Sequence, residues 1–307
     1  RSVLNNENIL KLNLDVGSMA LSGSTRMQAT TVQMLAAGSV TLYNYNKLEE
    51  FKSSYLKSID TILKLDYSFL YEFIEEESRI YKQKEIVTYV SCDNLAITVL
   101  TDTTERSPTF SLTPFEVKNS KEYSLCYLTI KNKKTSIEAW HALLKRPPRY
   151  LDWGQEFFNI NLYSIYAFDI SEQSINRRDQ YAKNNVFKLN YENQVISLEL
   201  NEFVYSLILP EVSLLTSHLC LKVLLNTMST AIMGRLGRFE SNIMTWVKPS
   251  NYKLIDRATR YAQKLLKNEN INVEYDKVLK SVISLAQDEE ALYKKPIVLE
   301  VVKQLSK

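Results

Sequence analysis

The chain has 307 residues, 45% hydrophobic and 24% charged, and its 38 basic and 35 acidic side chains leave a net charge of +3. That length buries a sizeable core in one large domain or two modest ones, and the near balance of charge argues against a nucleic-acid surface. No run of about 18 apolar residues predicts a membrane span. Three unevenly spaced cysteines, Cys92, Cys126 and Cys220, describe neither a disulfide framework nor a zinc site, so a reducing intracellular compartment such as the cytoplasm is expected and no metal or other cofactor is called for. With 6 Gly and 7 Pro, the chain is poor in the residues a Gly-lined nucleotide loop requires. The opening Arg-Ser-Val-Leu lacks a basic region followed by an apolar run, so no secretory signal is read there. It also lacks an initiator Met, and the chain is expected to be part of something longer.

In chain order, Ile9 to Val16 alternates apolar and polar side chains and predicts a strand. It runs into a turn of small and hydroxyl residues, Gly17 to Arg26, and a helix is predicted from about Thr25 into the forties. Amphipathic helices are predicted over Leu48 to Leu63 and Tyr67 to Lys82. Ile86 to Val90 reads as a buried strand, and Leu95 to Leu100 as either a helix or a second strand. Ser124 to Ile130 is a strand, and Ser136 to Leu144 is a helix ending at the Lys145-Arg146-Pro147-Pro148 breaker. Tyr163 to Ile170 and Val195 to Leu200 are strand candidates. Glu202 to Gly234 is long and apolar, interrupted at Pro210. Strands separated by helices predict an α/β fold with a mainly parallel sheet. From Lys253 onward the apolar residues fall at helical spacing, Leu254, Ala258, Tyr261, Ala262 and Leu265 among them, and predict a helical appendage packed on the α/β body.

Two segments carry a family resemblance. Leu21-Ser22-Gly23-Ser24-Thr25-Arg26-Met27-Gln28-Ala29-Thr30-Thr31 is similar to the G-S-[ST]-R-[LM]-K-x-G stretch of the sugar-isomerase (SIS) domain proteins. These include the N-acetylmuramic acid 6-phosphate etherases and the tandem-SIS proteins of the glucokinase regulatory type. Lys222-Val223-Leu224-Leu225-Asn226-Thr227-Met228-Ser229-Thr230, continued by Met233-Gly234-Arg235-Leu236-Gly237-Arg238, is similar to the K-x-x-L-N-x-x-S-T-x-x-x-x-x-L-G-K stretch of the same group. About 190 residues separate the segments, the layout of the tandem proteins. The resemblance implies an SIS-type parallel sheet sandwiched by helices. Residues 1–45 would close a first SIS domain, 46–250 would form a degenerate second one, and 251–307 would form a helical lid.

The resemblance also implies ligand contacts. Ser24, Thr25 and Arg26 would meet a sugar phosphate at the first-domain cleft; the competing reading is that Ser24 or Thr25 caps a helix. Lys222 would reach the same ligand from the second domain; the competing reading is an ion pair or a snorkelling amine in an apolar setting. Two positions depart from the pattern: Met19 stands where the family has Glu, and Gln28 where it has Lys. The second-domain loops, Ser91-Cys92-Asp93-Asn94 and Lys131 to Ser136, lack Gly, and Asp93 sets a negative charge where a phosphate would sit. The run Glu75-Glu76-Glu77 reads as a solvated face, His141 as a packing or surface residue, and a His218–Cys220 pair is excluded by helix geometry. The function expected is a non-catalytic, phosphosugar-sensing regulator of a protein partner such as a sugar kinase. One alternative is an interaction subunit built on an inactive SIS scaffold. Another is an etherase whose acid–base pair lies in a preceding half.

Overall fold

Two apolar runs form sheet strands that are buried on consecutive residues and therefore covered on both faces: β1 (Ile86–Ser91) and β2 (Cys126–Ile130). The computed structural model describes residues 4–42, 47–115, 123–149, 162–287 and 294–307. The opening residues 1–3 and the last part of the first predicted helix's span lie outside the described residues. β1 pairs in parallel with β2 on one side and with β3 (Asn184–Glu192) on the other. β4 (Val195–Leu200) and β5 (Phe203–Ile208) then extend the sheet as an antiparallel meander, giving the order β2-β1-β3-β4-β5. Four of the five strands therefore run the same way, and only β4 opposes them. The antiparallel half alternates buried and open residues, with Ile196, Leu198 and Leu200 inward, so it has one covered face.

Helices flank the sheet, as the α/β reading requires. The first, α1 (Ala29–Leu42), follows the Gly17–Arg26 turn, and α2 is Leu48–Lys64. α3 (Leu70–Lys82) lies on the sheet through Phe73, which stacks on Phe187 at 5.5 Å, and Phe69 just before it stacks on Tyr205 at 3.7 Å. α4 spans Ala96–Phe110, which resolves the Leu95 to Leu100 segment as helix and extends it well past the predicted end. α5 (Ser136–Leu144) starts with a capping box, Thr135 accepting from the Glu138 amide while the Glu138 carboxylate accepts from that of Thr135. Two short helices follow, α6 (Leu162–Ala167) and α7 (Gln173–Arg178). The strand predicted from Tyr163 is thus corrected to helix over most of its length. The predicted Ile9 to Val16 strand is also absent: those residues have no regular secondary structure and pair with no strand, and Leu10 is 97% exposed.

The 22-residue α8 (Leu214–Arg235), capped by the Ser213 hydroxyl, packs against α1, α2, α3 and α4. It is buried nearly all round, which explains its apolar sequence. A small hairpin, β6 (Phe239–Glu240) and β7 (Ile243–Met244), comes next, and Ser22 joins it through its amide to the Asn242 carbonyl at 2.8 Å. The C-terminal unit is helical: α9 (Tyr252–Asn268), α10 (Tyr275–Ala286) and α11 (Ile297–Leu305) pack on one another. This unit docks on the body through Tyr261 and Arg257 over Gly23 and through the Val298 amide on the Thr245 carbonyl. Its apolar residues join the body's core.

Candidate functional site

The Gly23–Arg26 turn is held in place from several directions. Gly23 has φ +78°, and a Cβ there would stand 2.4 Å from the Tyr261 hydroxyl, so glycine is demanded by both backbone and space. Gln28 folds back over the loop before it, accepting from the Ala20 amide and donating to the Ser18 carbonyl at 3.1 Å. The position that departs from the family's lysine therefore staples the loop. α1 begins at Ala29, three residues beyond Arg26, and neither Ser24 nor Thr25 caps it by its side chain. Thr25 is exposed; its carbonyl accepts from the Thr30 amide and hydroxyl, each at 3.0 Å. Ser24 is buried and its Oγ has no hydrogen-bond partner.

Arg26 points inward, 2% exposed, into a cluster built by α4 and α8. α4 contributes Asp102, Glu105 and Arg106, spaced so that all three share a side of the helix; α8 contributes Lys222, Asn226 and Ser229 in the same manner. Asp102 is the hub. It accepts from Arg26 Nη2, from Arg106 Nε and Nη2 at 3.1 and 2.9 Å, from Asn226 Nδ2 at 2.9 Å and from Ser229 Oγ at 2.9 Å. Burial pushes this carboxyl up, yet Arg26 and Arg106 outweigh it and hold Asp102 below the ordinary aspartate value.

Arg106 is fully buried and uses all five of its N–H donors: two on Asp102, one on Glu77 at 2.6 Å, and one each on the Tyr81 and Tyr89 hydroxyls at 3.1 and 2.8 Å. Both tyrosines in turn donate to Glu77. The reading of Glu75 to Glu77 as a solvated face is therefore corrected. Glu77 is completely buried, Glu76 is nearly so and pairs with Arg79 and Asn201, and Glu75 pairs with Arg235. Successive residues on a helix point in different directions, so a three-residue run cannot share one solvated side.

Lys222 lies beside the turn, 4% exposed, and its amine donates to the Arg26 carbonyl at 2.6 Å, Thr31 Oγ1 at 2.9 Å and Asn226 Oδ1 at 2.8 Å. These three bonds match an ammonium's three protons. Burial lowers its pKa to about 8, against the raising influence of Glu105. Arg26 is different. Its Nη2 is committed to Asp102 and to Ser229 Oγ at 2.8 Å, but Nε and Nη1 are buried without a hydrogen bond. The nearest anion to Nε is Glu105 Oε2 at 3.8 Å, itself a buried oxygen without a hydrogen bond, and burial raises the Glu105 pKa.

The sequence reasoning singled out Ser24, Thr25, Arg26 and Lys222; the structure brings Arg26 and Lys222 together, buries Ser24 and leaves Thr25 exposed. It missed Asp102, Glu105, Arg106, Asn226 and Ser229. The 222/226/229 spacing within a helix was the available signal for the last two. Elsewhere, the Asp93 carboxylate meets Lys133 at 3.2 Å where the loops after β1 and β2 come together. His218 bonds to Thr98 and Cys220 is separately buried, its thiol pushed up to about 11 by burial, so they form no pair. His141 packs on Tyr166. Among the described residues no His, Cys, Asp and Glu group is arranged to hold a metal ion, and no helix is long and apolar enough to cross a membrane. No protein-family model matches the chain, and no curated protein is detectably similar to it.

Proposed function

We propose that the chain is a non-catalytic binding protein whose Gly23–Arg26 turn takes the anionic group of a small ligand, a sugar phosphate, and reports its presence to a protein partner. The observation that carries this reading is the set of buried donors without acceptors: Ser24 Oγ, Arg26 Nε and Arg26 Nη1. Buried polar atoms in a folded protein are rarely left in this condition, and three in one turn call for an acceptor. A phosphate oxygen has the charge and the lone pairs to satisfy them. Glu105 occupies the position of a competitor, an internal carboxylate close to Arg26 that an incoming anion would displace. The non-catalytic part of the reading is supported by the state of the other buried carboxylates. Asp102 and Glu77 are tied to arginines and tyrosines and are unsuited to moving a proton.

Calorimetric titration of the 307-residue chain with fructose 6-phosphate tests this. Saturable binding is expected, with Ser24→Ala roughly tenfold weaker, as loss of one charge-assisted hydrogen bond predicts. Glu105→Gln, which removes the competing charge, is expected to bind more tightly. Absence of saturable heat, or equal affinities for all three proteins, overturns the reading. A second reading, an interaction subunit on an inactive scaffold, is favoured by the Lys222 amine, whose three protons are all taken by the protein itself. It predicts no binding by any of the three.

A further inference from the structure

The sheet has two edges, β2 and β5, and they differ in what lies along them. β2 is closed off: its Ile130 amide donates to the Ile170 carbonyl at 2.8 Å, and its Leu128 carbonyl accepts from the buried Arg178 guanidinium at 3.1 Å. Nothing among the described residues bonds to the outer side of β5. Its pairing with β4 identifies the groups left over. The Leu209 amide donates to the Gln194 carbonyl at 2.8 Å, so these two residues stand opposite each other at a bonded position. Bonded positions alternate along an antiparallel pair. Phe203, Tyr205 and Leu207 therefore turn their backbone groups to β4, while Val204, Ser206 and Ile208 turn theirs outward. The side chains of the outward three lie on the open face of the sheet, with Val204 69% and Ile208 77% exposed. Edge strands in natural proteins are commonly guarded by lysine, proline or a bulge. The β5 sequence FVYSLI holds no charge and no proline. The charges beside it on the open face, Glu199 opposite Val204 and Lys188 opposite Glu199, pair with each other at 2.6 Å.

We propose that β5 pairs with the β5 strand of a second copy of this chain, antiparallel about a two-fold axis through Ser206. The spacing is self-complementary. With Ser206 opposite its own copy, Val204 falls opposite the partner's Ile208, and Ile208 opposite the partner's Val204. Each outward amide then meets an outward carbonyl, and the open edges of two five-stranded sheets join into one sheet. The exposed Val204 and Ile208 side chains cover each other across the seam, an aliphatic cross-strand pair of the kind that stabilises sheets. A slip of one residue would set outward groups against groups already bonded to β4, and Pro210, which has no N–H, ends the ladder just beyond Ile208. A seam of 6 residues a side is small beside the roughly 800 Å² per partner of a standard interface, so a weak dimer, on the order of micromolar, is expected. This assignment does not rest on the sugar-phosphate reading.

Sedimentation velocity on the whole chain, run from about 1 to 200 µM, reads mass against concentration. A shift from one chain to two is expected across that range. Val204→Lys, at an exposed position, sets an unpaired charge at the seam; it should stay monomeric throughout and keep the native circular dichroism spectrum. Oxidation with diamide tests the register. Ser206→Cys should give a disulfide-linked dimer beyond any formed by the native chain, because the two Cα atoms on the axis stand at bridging distance. Val204→Cys should not, because its own copy lies four residues further along the partner strand. A chain that stays monomeric at all concentrations, a dimer that survives Val204→Lys, or cross-linking of Val204→Cys as readily as Ser206→Cys overturns the proposal.

Discussion

Asp102→Asn is the sharpest test of how the buried cluster works, because it keeps the side chain's shape and removes one charge. In the native protein this carboxylate answers two buried guanidinium groups, Arg26 and Arg106, and accepts five hydrogen bonds. Asparagine leaves Arg106 with Glu77 but leaves Arg26 with only the distant Glu105, 3.8 Å from its Nε. It also turns an NH2 group toward donors that have lost their acceptor. Breaking a buried pair by neutralising one partner costs about 3–5 kcal/mol, a large share of a total stability of about 5–15 kcal/mol. Urea unfolding should show this as a lower midpoint with an unchanged slope. Arg26→Met in the same chain as Asp102→Asn should recover part of the loss, because Arg106 and Glu77 then balance and no guanidinium is stranded. The four proteins of this cycle should give a coupling energy above about 1 kcal/mol. A loss below about 1 kcal/mol for Asp102→Asn, or additive single effects, would refute the assignment of Asp102 as hub.

Further outcomes follow from the same geometry. Gly23→Ala should destabilise by clearly more than Gly17→Ala in urea melts. Both have positive φ, +78° and +70°, and so carry a left-handed strain of about 1–2 kcal/mol, but only at Gly23 does a Cβ meet another atom. Tyr261→Phe should recover part of the Gly23→Ala loss. Lys222 predicts a pH effect: its folded pKa of about 8 lies below the ordinary 10.5, so above pH 8 the unfolded chain binds the extra proton and stability rises with pH. The slope contributed is at most about 1.4 kcal/mol per pH unit, and Lys222→Met should remove it. The window to read is pH 8 to 9, because Cys126 and Cys220, raised from 9 to about 11 by burial, act in the opposite sense at higher pH.

The sequence was most legible where one periodicity dominated. β4, α2, α3, α5 and the C-terminal helices fall where alternation or helical spacing is sustained, and β1 and β2 where a short apolar run is unbroken. It misled where pattern needs a partner. Ile9 to Val16 alternates well, but a strand requires a partner, and these residues pair with none of the described strands. Tyr163 to Ile170 is too short and too apolar for periodicity to separate helix from strand. α4 was the largest omission. Its sequence AITVLTDTTERSPTF is rich in threonine and holds Pro108, so propensity argues against helix after Leu100. Packing against α8 and β2 overrides it. With half of α4 hidden, Asp102, Glu105 and Arg106 had no common side, and the partner of Arg26 could not be found from the sequence.

That partner changes which cation matters for a ligand. Lys222 and Arg26 looked equivalent in the sequence, two basic residues in two family-like segments. In the structure they differ by what they have left to give. The Lys222 amine has placed its three protons on the Arg26 carbonyl, Thr31 and Asn226, so it fixes the turn to α8 and offers nothing to an incoming oxygen. Arg26 has placed only Nη2, and keeps Nε and Nη1. The two substitutions therefore separate along different axes. Lys222→Met strands a carbonyl, a hydroxyl and an amide oxygen in the interior, and each stranded group costs about 1–3 kcal/mol, so its signature is a lower urea midpoint. Ser24→Ala removes a hydroxyl that bonds to nothing in the unliganded chain, so its signature is an unchanged midpoint with weaker fructose 6-phosphate binding. A Lys222→Met chain of native stability that binds the sugar phosphate more weakly would reverse the assignment and make the lysine, not the turn, the ligand's anchor.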